Sequence, residues 1–137
     1  MKNRLLINSL VFTTLLILHS CDQYNPINYN IRNNSSETIV IDSVEISVSG
    51  GSMQGQYPNN LISGEVKTIM IYEVISSKVR DPEGQTYLGH LQKVVIYRLR
   101  DSAYLKQDIL LRDNWLYQET GEHSATLELS IDDNDFK

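Results

Sequence analysis

Chemistry in this sequence could reside in its histidines, in one acidic run and in one glycine-rich segment. A nucleophile–base pair needs a histidine or a substitute base close to a serine. Beyond residue 21 there are two histidines, His90 in Tyr87-Leu88-Gly89-His90-Leu91 and His123 after Gly121-Glu122, and neither sits in a GxSxG elbow or a similar setting. His90 is read as a strand or turn residue. Zinc or iron would want three or four closely spaced ligands, which two scattered histidines do not supply. Asp132-Asp133-Asn134-Asp135 offers oxygens to Ca²⁺ but lacks the glycine and the distal glutamate of an EF-hand loop, so it is read as a solvated acidic end to the last strand. Ser49-Gly50-Gly51-Ser52-Met53-Gln54-Gly55 has no GK[ST] ending to cradle phosphate and is read as a flexible loop. The expectation is a chain with no catalytic residue, no bound metal and no cofactor. The alternative is a small hydrolase, or other enzyme, whose site is built from scattered Asp, Glu, His and Tyr.

Aromatic side chains are the other way to make a site, because their faces bind sugars and peptides in shallow grooves. Of the eight tyrosines, Tyr97 shares an apolar parity with Leu99, and Trp115 shares one with Tyr117, so both are assigned to the core. Tyr57, beside Pro58 in a loop, is the candidate for an exposed contact.

Cys21 is the one cysteine, which rules out an internal disulfide and a CxxC redox pair. Ahead of it, Lys2 and Arg4 precede an apolar run from Leu5 to Leu18, broken only by Asn8, Ser9, Thr13 and Thr14. This is the charged and then apolar plan of a signal peptide. As a helix the run would be about 21 Å long at about 1.5 Å per residue, short of the roughly 30 Å hydrocarbon core. Leu18-His19-Ser20-Cys21 resembles the lipobox of bacterial lipoproteins, with His19 its least typical member. The resemblance implies removal of residues 1–20, lipid on the Cys21 thiol and anchorage to a membrane, where two or three acyl chains hold firmly.

Without its first 20 residues the 137-residue chain keeps 117, the size of one domain with one core. All 17 acidic residues lie beyond Cys21, against 10 of the 12 basic ones, so the mature chain carries a net charge of −7. Nucleic acid, which needs the opposite sign, is excluded as a partner.

Asp22 to Asn30 is polar, contains a proline and reads as a tether, making residues 21–30 a lipidated spacer and 31–137 the folded domain. From there the dominant period is two, the period of a half-buried strand. Leu127, Leu129 and Ile131 alternate with Glu128 and Ser130, and Val95, Tyr97 and Leu99 with Arg98 and Arg100. Ile39 and Ile41 sit on odd numbers and Val44, Ile46 and Val48 on even ones, so a bulge or tight turn is required at Asp42-Ser43. Val66 to Ile75, apolar on both parities and rich in β-branched residues, is expected to be a central strand covered on both faces. Ser102 to Leu111 is the one place for a short helix. Short strands between turn clusters such as Tyr57-Pro58-Asn59-Asn60 and Asp81-Pro82-Glu83-Gly84, without strand–helix alternation, point to an all-β antiparallel sandwich.

Tyr29-Asn30-Ile31-Arg32-Asn33-Asn34-Ser35-Ser36-Glu37-Thr38-Ile39, with the late Ala125 to Ile131 and Asp135-Phe136, resembles small lipoproteins of Bacteroidota. That likeness implies an Ig-like or similar Greek-key sandwich and carries over no catalytic residue. It also implies a cell-envelope location at the outer membrane, since Asp22 signals inner-membrane retention only under enterobacterial sorting rules. Asp42-Ser43-Val44 and Asp101-Ser102-Ala103 resemble the O-glycosylation acceptor of that phylum, with Ser43 and Ser102 as the acceptors. The expected function is a lipid-anchored, non-enzymatic binding or accessory module for an envelope protein or glycan.

Overall fold

The computed structural model describes residues 24–47, 51–75 and 88–136. The signal segment, Cys21 and the Asp81–Gly84 turn lie outside the described residues. Eight strands form among those described: β1 (Tyr24–Asn33), β2 (Ile39–Ile46), β3 (Gly51–Met53), β4 (Asn59–Leu61), β5 (Val66–Ile75), β6 (Leu91–Arg98), β7 (Leu116–Gly121) and β8 (Ser124–Ile131). They make a five-stranded sheet in the order β3-β5-β1-β8-β7 and a three-stranded sheet in the order β4-β2-β6. The apolar faces of the two meet in one core, as an all-β sandwich requires.

The tether assignment is corrected from Tyr24 onward. Residues 24–33 are the middle strand of the larger sheet, paired with β5 on one side and β8 on the other. Asn25, Ile27, Tyr29, Ile31 and Asn33 are buried, while Pro26, Asn28, Asn30 and Arg32 are half-exposed. The alternation is obscured by asparagines at both buried and half-exposed positions; of these, Asn30 Oδ1 accepts from Thr68 Oγ1 of β5 at 2.8 Å. Pro26 falls one residue before the β8 ladder begins, where β1 has a single neighbour and a missing N–H is tolerated.

One pairing departs from the antiparallel expectation. β1 and β8, the first and last strands, run parallel from Ile27↔Ala125 to Asn33↔Ile131. β7 and β8 form a hairpin, so β8 takes the direction of β1 when it enters the sheet beside it. Its alternation is as expected, with Ala125, Leu127, Leu129 and Ile131 buried.

Bulges account for the parity breaks. The β2–β6 register shifts between Ile41 and Ser43, leaving Asp42 exposed and moving the buried set from Ile39 and Ile41 to Val44, as the sequence requires. In β5, Met70 faces Tyr29 and Thr68 faces Asn30, so Ile69 is the extra residue and both Ile69 and Met70 are fully buried. The double parity of this strand therefore arises from a bulge rather than from cover on two faces, since Glu73 is exposed. The loop assigned to Ser49–Gly55 contains the short edge strand β3, paired with β5.

The inner face of β6 is also corrected. Leu91 and Ile96 are buried and Val94 packs on the core, whereas Tyr97 is half-buried and Leu99 is 50% exposed. Val94, Val95, Ile96 and Tyr97 are apolar on both parities, so alternation alone does not choose between the faces. No helix forms at 102–111. The backbone of this segment bonds instead to β6 and to the turn after β8, with Leu105 N donating to Ile96 O at 3.1 Å and Lys106 N to Asp135 O at 2.7 Å. Trp115 is buried as expected, edge-on to Tyr29 at 5.7 Å, with Nε1 donating to Ile109 O at 2.7 Å.

Leu129 stands fully buried between β1 and β7, and Leu129→Ala is expected to remove about 2–5 kcal/mol from a total of roughly 5–15. Glu128, on the other face, takes both Arg32 Nε (2.7 Å) and Nη2 (3.0 Å), and Glu128→Ala should cost under about 1 kcal/mol. Asn33→Ala, which removes the amide that donates to Leu61 O and Glu37 O and accepts from Ser35, should cost more than about 2 kcal/mol. Denaturant melts rank the three; equal small effects would mean that β1 and β8 are not central strands.

Candidate functional site

The smaller sheet ends in β6, and its outer edge is only partly used. After β6 the chain turns sharply at Leu99–Asp101. The Asp101 carboxylate accepts from Arg98 Nε (3.0 Å), Arg98 Nη2 (2.6 Å) and Ala103 N (3.1 Å), and these bonds hold its pKa down at about 2. Ser102 adopts a left-handed φ of 56° to complete the reversal. Ala103 to Leu105 then lies along β6: Arg98 N donates to Ala103 O at 2.8 Å and Leu105 N to Ile96 O at 3.1 Å. At Lys106 the chain leaves β6, drawn away by the Leu105↔Phe136 bridge and the Lys106–Asp135 bond. It comes back beside the residues that lead into β6 at Leu110, whose carbonyl accepts from Leu88 N at 2.8 Å.

Between the departing segment and β6 lies a cleft of about 300 Å³. Buried Ile96 and Ile109 form its floor and exposed Lys93, Tyr104 and Asp108 its rim. Along a strand successive backbone groups point to opposite edges, so a residue two positions from Ile96 points the same way as Ile96. Val94 thus presents its N–H and C=O to the cleft, and neither has a partner among the described residues. Gln107, in the opposite wall, carries a buried Oε1 that likewise finds no donor among them. Lys93 pairs with Glu45 across the sheet at 3.4 Å. Asp108 accepts from Leu110 N at 3.0 Å and has no cationic partner among the described residues. The cleft offers an apolar floor, backbone hydrogen-bonding groups, an amide acceptor and one carboxylate, which equips it to hold a ligand.

The residues singled out in the sequence are not gathered here. Ser102 is exposed in the turn after β6, while Ser43 is half-buried in β2 opposite Val95 rather than in a turn. Tyr57 is not an exposed contact: its ring packs on the core, its hydroxyl donates to Gln54 O at 2.8 Å, and burial pushes its pKa up. His90 stacks on Tyr72 with ring centroids 3.6 Å apart, and burial lowers its pKa. His123 sits in the β7–β8 turn. The acidic run is a structural clasp, in which Asp133 accepts from Ser36 N (3.1 Å) and Ser36 Oγ (3.1 Å) while Asp135 accepts from Asp132 N (2.7 Å). Among the described residues no three His, Cys, Asp or Glu side chains are grouped to hold a metal.

Sequence reading missed the cleft. Its one visible trace is the double apolar parity of β6, which puts apolar side chains on both faces of that strand; nothing local distinguishes Gln107 or Asp108. A buried acceptor without a donor costs about 1–3 kcal/mol. Gln107→Leu is therefore expected to raise stability by about 1 kcal/mol in a denaturant melt, and an unchanged or lower midpoint would mean that Oε1 is already satisfied. No protein-family model, no curated protein and no solved structure matches this chain.

Proposed function

We propose that this chain is the precursor of a bacterial envelope lipoprotein, cut before Cys21 and lipidated on that residue. Its sandwich is a non-enzymatic binding module whose cleft beside β6 takes an envelope protein or glycan. The lipobox-like Leu18-His19-Ser20-Cys21 behind a charged and apolar leader motivates the anchor. The observation that carries the reading is how soon the fold follows that cysteine: β1 is under way at Tyr24, three residues on in the sequence. Three residue steps reach at most about 11 Å, so a lipid on Cys21 holds the start of the central strand close against the bilayer. A domain fixed in this way works at the membrane surface. The cleft supports the binding half of the reading, because it presents apolar surface and hydrogen-bonding groups and includes no histidine, serine or cysteine among its lining residues.

Cys21→Ala should move the protein from the membrane fraction to the soluble fraction and abolish labelling by a fatty-acid probe. The N-terminal peptide of the native protein should carry two or three acyl chains with their glyceryl group on Cys21, and the mass of the intact protein should exceed chain plus lipid by an amount that Ser43→Ala with Ser102→Ala removes. A variant that stays in the membrane, together with a wild type that takes no lipid, would falsify the anchor.

A further inference from the structure

We infer that the cleft beside β6 binds an extended segment of a partner polypeptide, which adds as a strand to the β6 edge at Val94 and places a basic residue by Asp108. The inference rests on the binding reading above and specifies its ligand. Three observations point to a polypeptide. The chain itself already uses this edge in the same manner, since Ala103 to Leu105 lies along Ile96 to Arg98 with a Tyr97↔Tyr104 antiparallel bridge. Where that segment departs, the next outward-pointing residue, Val94, has one donor and one acceptor without a partner among the described residues, the pair that the backbone of an incoming strand satisfies. Across the cleft the buried Gln107 Oε1 has no donor among the described residues, and a backbone N–H on the other edge of such a strand is one.

Charge selects among polypeptides. Lys93, which would otherwise guard the edge as lysines do in strands that must stay unpaired, is engaged with Glu45. Asp108 is the rim charge with no counter-ion among the described residues, and the chain beyond Cys21 carries −7. The favoured segment therefore alternates apolar residues, directed at Ile96 and Ile109, with lysine or arginine.

The test uses the full lipidated chain in detergent. The probes are short synthetic peptides that alternate valine or isoleucine with lysine, a matched set carrying serine in place of lysine, and a panel of soluble oligosaccharides. The lysine peptides should bind. N-methylating one alternate set of peptide amides should weaken binding at least about tenfold, equivalent to about 1.4 kcal/mol, while methylating the other set has a smaller effect. Asp108→Asn should reduce affinity for the lysine peptides and leave the serine set unchanged. Val94→Pro, which removes an outward N–H while sparing the β2–β6 ladder, should weaken both sets; because the methylated peptides leave the protein untouched, the test survives if that variant fails to fold. Oligosaccharide binding lost on Gln107→Leu would overturn the strand reading and preserve the binding site. A dimer that dissociates on Val94→Pro would make a second copy the occupant and overturn it as well. No binding by any probe would remove both the inference and the binding reading, and the anchor would still stand or fall on Cys21→Ala.

Discussion

At the end of β1 the Asn33 amide joins the two sheets. Its Nδ2 donates to Leu61 O and to Glu37 O, each at 2.8 Å, and its Oδ1 accepts from Ser35 N at 3.0 Å and Ser35 Oγ at 2.6 Å. Its backbone closes two more bonds, donating to Glu65 O at 2.9 Å and accepting from Gly64 N at 2.7 Å. Asn33 belongs to the larger sheet and Leu61 to β4 of the smaller one, so a single buried side chain fixes their alignment. Apolar burial is non-directional and would tolerate other alignments of two greasy faces. A fully satisfied polar network does not, because sliding it would strand several buried groups together. Gly64, at φ 83°, makes the approach feasible by turning the β4–β5 connection back toward Asn33.

The second constraint is the pairing of the first and last strands. β1 and β8 form a parallel ladder at the centre of the larger sheet, and the core is not closed until β8 is in place. With a single cysteine, no disulfide holds these distant strands together. The acidic clasp at Asp132–Asp135 takes up part of this work, tying the end of β8 to the β1–β2 turn through Ser36 and drawing the 104–106 segment across through Asp135 O.

The cleft is a by-product of that same clasp. Because Leu105 and Lys106 bond to Phe136 and Asp135, the segment that had begun to pair with β6 is pulled away before it covers Val94. Closure of the fold and the open stretch of strand edge therefore have one cause. The open stretch of edge is flanked by the turn at Asp101 on one side and by the Leu88–Leu110 bond on the other, which together fix the walls of the cleft.

Much of the fold was legible because local alternation reports burial directly. The β8 pattern of Leu127, Leu129 and Ile131, the parity switch at Asp42 and the burial of Trp115 all follow from side-chain period and size. Where period gave no answer, only the tertiary structure decided. The asparagine-rich start of β1 reads as a tether because its polar residues look solvated until Thr68 of the distant β5 is set against Asn30, and β6 reads with the wrong face inward because it is apolar on both parities. The parallel β1–β8 ladder, the absence of a helix at 102–111 and the cleft depend on hydrogen bonds between residues far apart in the chain. The sequence by itself determined the composition, the charge, the lipobox-like leader and the strand-forming period, which are properties of neighbouring residues. The partners of Asn33, Val94 and Gln107 were decided by the packing, because a backbone or amide group has the same chemistry wherever it lies and acquires a role only from what the fold sets opposite it.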